Sequence, residues 1–370
     1  MVDCAEFGTQ MTIPAATPPL RLRELRIGYV PYGDALSLPG DSRRFVYYAK
    51  KRGLKFELAN PKHEYDVVVL SGRADISVWS RYPKAKLVYD LIDSYLAVPR
   101  SDVKGRLRGL FKFISRQSRY LQLDYWKAVG AMCVRADAVV CSTQEQRADI
   151  LNYCANVHVI LDAHMGVTHS TKTDYKAHTP FKLVWEGLPH TLDSLTMIQP
   201  VIERLSQKYP IELHVITDRE HYRYLSQFYK VNTLQKLHKI FPKAYFYDWT
   251  EANFAQIACE CDLAVIPLQL NNPFASGKPE NKLLLFWRMG IPVITSATPA
   301  YKRAMHNAGL DLAVQDEQGW YVAIEKLLQD EPSRHQAGKL GKDYTEQQFS
   351  ESILLSRWDA LFESLGFSVS

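Results

Sequence analysis

The chain alternates short apolar runs with longer stretches of helical periodicity from residue 25 onward, and this feature constrains its fold most strongly. Continuous apolar runs of this length are typical of strands buried on both faces, as in parallel sheets covered by helices. The first group of predicted strands is LRIGYV (25–30), DVVVL (66–70), KLVYD (86–90), AVVC (138–141) and VHVI (157–160).

A polar segment, GVTHSTKTDYKAHTP (166–180), interrupts this alternation and is predicted to be an interdomain linker. The alternation then restarts with KLVWEG (182–187), IELHVI (211–216), AYFYDW (244–249), LAVIPL (263–268), IPVI (291–294) and DLAV (311–314). Because 370 residues exceed what one hydrophobic core usually supports, two Rossmann-like domains of the α/β class are expected.

The common cofactor motifs are missing from the expected places. The loop after the first strand runs PYGDALSLPGDSRR and lacks Gly-x-Gly-x-x-Gly, which argues against a dinucleotide. No Walker loop, Gly-x-Ser-x-Gly elbow or His-Glu-x-x-His pair is present. Its six Cys lack zinc-binding spacing. We therefore predict no cofactor, and the Cys spacing argues against a zinc site.

The composition bears on location and partners. The net charge of +5 suits an anionic small partner without demanding nucleic acid. Residues 1–20 carry no secretory pattern and are predicted to be a flexible leader. No apolar run approaches the roughly 18 residues of a membrane span. A cytoplasmic protein is expected, and Cys inside apolar runs agree with a reducing compartment.

The stretch SGKPENKLLLFWRMGIPVIT (276–295) holds the most specific local signal. Pro279 suits the first turn of a helix that ends at Met289-Gly290 and is followed by a short strand at 291–294. Free N–H groups at the helix start, together with Lys282, favour a diphosphate. The alternative is an ordinary surface helix with a solvated Lys.

Seven segments are informative by their order and spacing: GDSRRFVYYAKKRGLKFEL (40–58), YDVVVLS (65–71), KLVYDLIDSY (86–95), RADAVVCSTQEQRADIL (135–151), KLVWEG (182–187), CDLAVIPL (261–268) and KPENKLLLFWRMGIPVI (278–294). Together they resemble GT-B glycosyltransferases, particularly the family-4-like enzymes of bacterial surface polysaccharide synthesis.

The resemblance implies a GT-B fold, with two Rossmann-like domains facing each other across a cleft. It places an acceptor domain at 21–165, the linker at 166–180 and a nucleotide-sugar domain at 181–345. Residues 346–370 would form a C-terminal helix that crosses back to the first domain. No metal is usually needed in such enzymes, because backbone amides and basic side chains stabilise the departing diphosphate.

By the same resemblance, Ser276, Gly277, Lys278 and Lys282 would surround the phosphates. The chain departs from the family at two positions where many members carry Glu, since Leu285 and Gly277 occupy them here. Such a Glu commonly holds ribose hydroxyls. Either Glu280 takes that role or the donor is bound differently, and retention or inversion of the sugar stays open.

Further candidates follow strand ends. Asp90 and Asp93 follow a buried strand, where either one could orient or deprotonate an acceptor hydroxyl, while Asp93 could instead cap a helix. Arg43 and Arg44 open a helix and could contact an anionic acceptor, although such residues are often solvated, and nearby Asp41 suits an N-cap.

In the second half, the resemblance places Gly187 close to the phosphates and the loop residue His190 near the sugar or phosphate. Tyr247 and Trp249 fall where relatives recognise the nucleobase, and core packing is the alternative. Ser142-x-x-Glu145 is predicted to be a capping box without a functional role.

Residues 104–127 combine seven Lys or Arg with large apolar side chains. This pattern suits either a peripheral membrane contact beside a lipid-linked acceptor or a helix that packs on its own domain.

The leading hypothesis is a metal-independent glycosyltransferase that uses a nucleotide-sugar, with a UDP-sugar as first choice, and a glycan or lipid-linked acceptor of the cell surface. The alternatives are a catalytically silent GT-B module that binds a partner glycosyltransferase or glycan, and a nucleotide-sugar epimerase.

Overall fold

The computed structural model describes residues 20–98, 103–223, 229–272, 274 and 277–369. Its core consists of two six-stranded parallel sheets, one in each half of the chain. The strands, in chain order, are β1 (Leu20–Arg21), β2 (Ile27–Val30), β3 (Glu57–Leu58), β4 (Val67–Leu70), β5 (Lys86–Asp90), β6 (Ala138–Cys141), β7 (Val157–Val159), β8 (Phe181–Glu186), β9 (Ile211–Thr217), β10 (Glu220–Arg223), β11 (Tyr229–Asn232), β12 (Tyr245–Asp248), β13 (Leu263–Ile266), β14 (Val293–Ser296), β15 (Ala313–Val314) and β16 (Phe367–Ser368).

Helices connect these strands and cover both faces of each sheet. They are α1 (Pro39–Ser42), α2 (Phe45–Arg52), α3 (Ile76–Trp79), α4 (Val103–Ile114), α5 (Tyr125–Arg135), α6 (Gln144–Ile150), α7 (Gln199–Ser206), α8 (Thr233–Ile240), α9 (Phe254–Cys259), α10 (Asn281–Arg288), α11 (Pro299–Asn307), α12 (Glu317–Gln329), α13 (Glu331–Phe349) and α14 (Glu351–Ser364). Short 3₁₀ segments lie at Leu22–Glu24, Tyr95–Ala97 and Pro189–Met197.

The order of the strands defines both domains as Rossmann-like. The first sheet runs β3-β2-β4-β5-β6-β7, and the second runs β12-β9-β8-β13-β14-β15. In the second sheet the order reverses between β8 and β13, and in the first between β2 and β4. Open parallel sheets bind ligands at such points, outside the carboxyl ends of the strands.

The predicted strands are confirmed, with ends that move by one to two residues in several cases. The sequence did not reveal β3, β1, β16 or the antiparallel hairpin β10-β11. Both residues of β3 and both of β1 are exposed, so neither strand carries the apolar run on which the prediction depended. The predicted Ser142–Glu145 capping box is wrong by one residue, because the Thr143 side chain accepts from the Gln146 amide and Gln146 Oε1 accepts from the Ser142 amide.

The segment between the two sheets is held by the second domain. The Lys172 amide donates to the Met289 carbonyl over 2.7 Å, and the Tyr175 hydroxyl donates to the Gly290 carbonyl over 2.7 Å. These two carbonyls end helix α10, where Gly290 has a positive φ of 73° that suits glycine.

Helix α14 packs on the first domain, although it follows the second domain in sequence. Trp358 and Phe362 stack on the Tyr48 ring at centroid distances of 5.6 Å each. Arg52 forms an ion pair with Asp359. Beyond the helix, β16 pairs in parallel with β1. The first domain is therefore completed by residues from the far end of the chain.

Across the described residues, no helix is both long and apolar enough to span a bilayer.

Candidate active site

The cleft side of the second domain is built at the reversal point of its sheet. Strand β8 ends at Glu186, and Gly187 follows it; the first turn of α10 lies against this strand end. A Cβ atom at position 187 would lie 2.7 Å from the Trp185 ring and 2.8 Å from Lys282 Nζ. A side chain at this position would therefore displace the Trp185 ring or the Lys282 ammonium, which lies directly beside the backbone.

Lys282 is partly buried beside the end of β8. Its Nζ lies 4.0 Å from Glu186 Oε2 and 5.2 Å from the centroid of the Trp185 ring, and 25% of its side chain is exposed. Burial lowers the pKa of the Lys282 ammonium, Glu186 opposes that shift, and the Lys278 charge adds to it. Two neighbouring cations at a helix start form a site that suits an anion.

The start of this helix differs from the prediction. Helix α10 begins at Asn281 with Glu280 as its N-cap, so Pro279 precedes the helix instead of occupying its first turn. Asn281 Oδ1 accepts a hydrogen bond from the Asp162 amide over 3.1 Å, which ties the helix start to the first domain. Lys282 is thus the second helical residue, on the turn where free N–H groups concentrate.

The loop before α10 contacts the first domain directly. Lys278 Nζ lies 2.9 Å from Asp93 Oδ1, and Ser94 Oγ donates to the Gly277 carbonyl over 3.1 Å. The Tyr95 and Phe274 rings lie 5.7 Å apart. Predicted donor residues and the predicted catalytic Asp93 therefore meet across the cleft. Ser276 lies outside the described residues.

Asp90 and Arg44, predicted to be a catalytic and an acceptor-binding residue, bind each other inside the first domain. Arg44 Nε donates to Asp90 Oδ2 over 2.7 Å, and Arg44 Nη2 donates to Asp90 Oδ1 over 2.6 Å. Arg44 Nη1 reaches Asp162 Oδ1 at 2.9 Å. Burial opposes the charge of Arg44, but Asp90 and Asp162 outweigh it and raise its pKa. This geometry argues against acceptor contacts by either Asp90 or Arg44.

Asp41 is likewise not the predicted helix cap. Its carboxylate is fully buried and accepts hydrogen bonds from the Tyr29 hydroxyl and from the Tyr32 and Gly33 amides. It therefore fixes the loop after β2 and does not begin a helix.

Arg43 faces the cleft. Its guanidinium lies 5.6 Å from the centroid of the Trp249 ring, which belongs to the second domain. Arg43 also lines an open cavity of about 520 Å³ together with Tyr47, Lys50 and Glu251. Since residues of both domains line this cavity, Arg43 lies where the two domains meet.

The predicted nucleobase residues are partly engaged by the protein. The Tyr247 ring stacks on His214 at 5.7 Å, and its hydroxyl lies 3.0 Å from His214 Nδ1. Trp249 is half-buried, and its Nε1 has no hydrogen-bond partner among the described residues. His190 is exposed in the 3₁₀ segment after Gly187.

Sequence reasoning missed two cleft contacts. Arg303 of α11 forms an ion pair with Glu145 of α6, which joins the two domains. His164 is buried between the domains, where burial and the charges of Arg43 and Arg288 hold its pKa well below the usual range. Neither residue belongs to a motif, so only the juxtaposition of the domains reveals them.

Glu280 is 6% exposed, and its Oε2 has no hydrogen-bond partner among the described residues. Burial raises the pKa of Glu280 to about 7. Burying an ionised carboxylate without a hydrogen-bond partner costs free energy. The Glu280 carboxyl is therefore expected to stay protonated under mildly acidic conditions.

We expect Glu280→Gln to flatten the pH dependence of stability. Because the folded pKa of Glu280 lies above its unfolded value, its contribution is fully present below about pH 4.5 and declines as the pH rises to about 7. At pH 8 the Gln variant should therefore be more stable than the native chain by about 1 to 3 kcal/mol. Urea denaturation between pH 5 and pH 8 measures this, with the surface change Glu363→Gln as the control; parallel curves for both variants would contradict the burial of an uncompensated carboxyl.

Among the described residues, no three His, Cys, Asp or Glu side chains come together as a metal-binding group.

No protein-family model matches the chain, and no curated protein shows significant similarity. Solved structures do match. Anabaena HepE in complex with UDP and glucose has a TM-score of 0.61 at 14% identity, over 92% of this chain and 99% of that one. Sucrose-phosphate synthase from Thermosynechococcus elongatus has a TM-score of 0.58 at 14% identity, over 87% of this chain and 76% of that one.

Staphylococcus aureus TarM, solved with fondaparinux, alpha-GlcNAc-glycerol and UDP, has a TM-score of 0.54 at 12% identity. This match covers 80% of the chain but 55% of TarM, so the chain corresponds to about half of that protein. These neighbours are GT-B glycosyltransferases, and the likeness confirms the predicted GT-B fold of two Rossmann-like domains.

Proposed function

We propose that the protein is a glycosyltransferase that moves a sugar from a nucleotide-sugar to an acceptor bound in the cleft. The observation that carries this proposal is the Lys282 ammonium, fixed beside Gly187 in the first turn of α10 at the reversal point of the second sheet. There it would neutralise a diphosphate as the glycosidic bond breaks and charge develops on the leaving group. UDP bound to structural neighbours supports a UDP-sugar as the donor.

The other residues divide by the domain that supplies them. Gly187, His190, Gly277, Lys278 and Lys282 would contact the donor, as would Ser276. Tyr247 and Trp249 would flank the nucleobase. Glu280 would bind the ribose hydroxyls, because Leu285, at the position where many relatives carry Glu, is buried in the core and has no carboxylate.

On the acceptor side, Asp93 is the proposed base or hydroxyl-orienting group and Arg43 the acceptor contact. Arg44 and Asp90 are assigned the structural role of holding the first domain together. In the structure Asp93 is paired with Lys278, so donor binding would have to separate the two before Asp93 meets an acceptor.

The proposal keeps the division of the chain into an acceptor domain at 21–165, a linker at 166–180, a nucleotide-sugar domain at 181–345 and a returning segment at 346–370. It also includes metal-independent transfer in the cytoplasm, at the inner face of the membrane, to a glycan or lipid-linked acceptor in the synthesis of a cell-surface polysaccharide. The α14 contact with the first domain supports the returning segment, and the cation at Lys282 supports transfer without a metal.

A second candidate is a catalytically silent GT-B module. The pairing of Lys278 with Asp93 and the apolar core position of Leu285 favour it, because both remove polar groups from the donor side of the cleft. Such a module would bind a nucleotide or glycan without turnover.

Acceptor-dependent release of UDP tests the proposal. The purified chain would be incubated with a panel of UDP-sugars, with and without an oligosaccharide or lipid-linked acceptor. Release that requires the acceptor supports transfer, a changed sugar without any acceptor supports an epimerase, and nucleotide binding without either reaction supports the silent module.

We expect UDP to raise the thermal stability of the protein. A ligand that binds only the native state stabilises it by about 2.7 kcal/mol at a hundredfold excess over Kd, which corresponds to several degrees in Tm for a chain of this size. Differential scanning fluorimetry with UDP, GDP and uridine measures the effect. Uridine is the control, since it lacks the diphosphate that Lys282 is placed to bind. Equal stability with and without every nucleotide would exclude the proposed donor site.

A further inference from the structure

The first domain carries an exposed apolar face formed by helix α4 and the loop that follows it. We call it the α4 face. Its most exposed members are Leu123 at 78%, Ile114 at 66% and Phe111 at 52%, and the remaining large apolar members, all more than 40% exposed, are Leu107, Leu110, Phe113 and Leu121. A cluster of exposed large apolar side chains on one helix and its loop is typical of an interaction site.

The stretch that carries the α4 face is basic. Residues 104–123 read KGRLRGLFKFISRQSRYLQL, with six Lys or Arg and no Asp or Glu. Arg116 and Arg119 are exposed beside the apolar members. Large apolar groups next to exposed cations, with no acidic residue in the stretch, complement an anionic lipid surface, where the rings and aliphatic chains enter the interface and the cations meet the headgroups.

The helix is fixed to its domain by contacts on its other side. The Arg108 guanidinium lies within 6 Å of three ring centroids, at 4.9 Å from Tyr95, 5.4 Å from Tyr125 and 5.9 Å from Trp126. Lys112 Nζ donates to the Tyr125 hydroxyl over 2.7 Å. Because these contacts already hold α4 in place, its exposed apolar residues are not needed to pack it.

Helix α4 adjoins the acceptor side of the cleft through its domain-facing side. Arg108 Nη2 donates to the Tyr95 hydroxyl over 3.0 Å, and that hydroxyl lies 3.3 Å from Asp93 Oδ2. A lipid surface against the α4 face would therefore lie about one helix diameter, roughly 10 Å, from this side, within reach of the polar part of a lipid-linked molecule.

From these observations we infer that the α4 face docks the protein on an anionic membrane and that the acceptor is membrane-borne. The second part rests on the proposed function, whereas the docking does not. A second copy of the chain fits the face less well, since a symmetric contact would place the basic stretches of both copies against each other.

Vesicle co-sedimentation tests the docking. The native chain is expected to bind phosphatidylcholine vesicles that contain about 30% phosphatidylglycerol, to bind pure phosphatidylcholine about tenfold or more weakly, and to lose affinity as salt rises. The double variant Phe111→Asp/Ile114→Asp should bind the anionic vesicles at least about tenfold more weakly than the native chain. Val134→Asp is the matched control, because Val134 is 65% exposed on α5 of the same domain but lies outside the α4 face.

Two results would overturn the inference. One is binding that is absent, or equal for the native chain and both variants. The other is a native dimer in sedimentation velocity that the double variant converts to a monomer, with no vesicle binding by either, which would assign the α4 face to self-association. The assay needs no donor, so vesicle binding without transfer would overturn the proposed function alone, and transfer without vesicle binding would overturn this inference alone.

Discussion

Replacing Lys282 by Ala should weaken donor binding by roughly tenfold to over a hundredfold, because a charge-assisted hydrogen bond to the diphosphate is worth about 1.5 to 3 kcal/mol. The ammonium is fixed before the ligand arrives, since the Trp185 ring and Gly187 backbone confine it. A preorganised charge also stabilises the leaving group as it develops, so kcat should fall beyond the loss of ground-state affinity.

The loss of affinity is measured by titration calorimetry with UDP. The fall in kcat is measured by steady-state kinetics with the donor that the UDP-sugar panel identifies. Lys302→Ala, an exposed substitution on α11, is the control. Global stability should change by about 1 kcal/mol or less, because loss of a partly desolvated cation offsets loss of its stem packing. Unchanged affinity and turnover in Lys282→Ala would show that the first turn of α10 serves only to cap a helix.

Replacing Arg44 by Met should cost about 3 to 5 kcal/mol of unfolding free energy, since it leaves the carboxylate of Asp90 buried without its counter-ion. Asp90 is 3% exposed and Arg44 is 1% exposed, so water cannot take the place of the missing partner. Asp162 loses a partner at the same time.

Urea denaturation at neutral pH measures this cost, and the double variant Arg44→Met/Asp90→Leu provides the matched comparison. Removing both charges should recover much of the lost stability, because two apolar groups of similar volume tolerate burial better than one unpaired charge. A cost under about 1 kcal/mol for the single variant would indicate a solvated pair instead.

The fold was predictable from the sequence because its strands are buried on both faces. LAVI in β13 and AVVC in β6 are fully buried, and this burial explains why both sequences are apolar without interruption. Strands at sheet edges, such as β3, keep part of their surface in water, so their composition shows their structure less clearly.

The candidate site was less predictable, since it depends on contacts between residues far apart in sequence. The stretch 276–295 indicated an anion site, but the burial of Lys282 follows from Trp185 and Glu186, nearly a hundred positions earlier. The strand end predicted a catalytic role for Asp90, but its bidentate contact with Arg44, 46 positions away, was not predictable from the local sequence. Local pattern carries no information about such partners.

The return of α14 and β16 to the first domain affects how the chain matures on the ribosome. Domains generally fold as units during synthesis, in order from the N-terminus. Here the last strand of the first sheet is complete once Val159 has been synthesised. Tyr48 and Phe45, however, are covered only when Trp358 and Phe362 have been synthesised. The nascent first domain thus exposes aromatic surface while the whole second domain is being made, and a chaperone that shields this surface would be most useful in that interval.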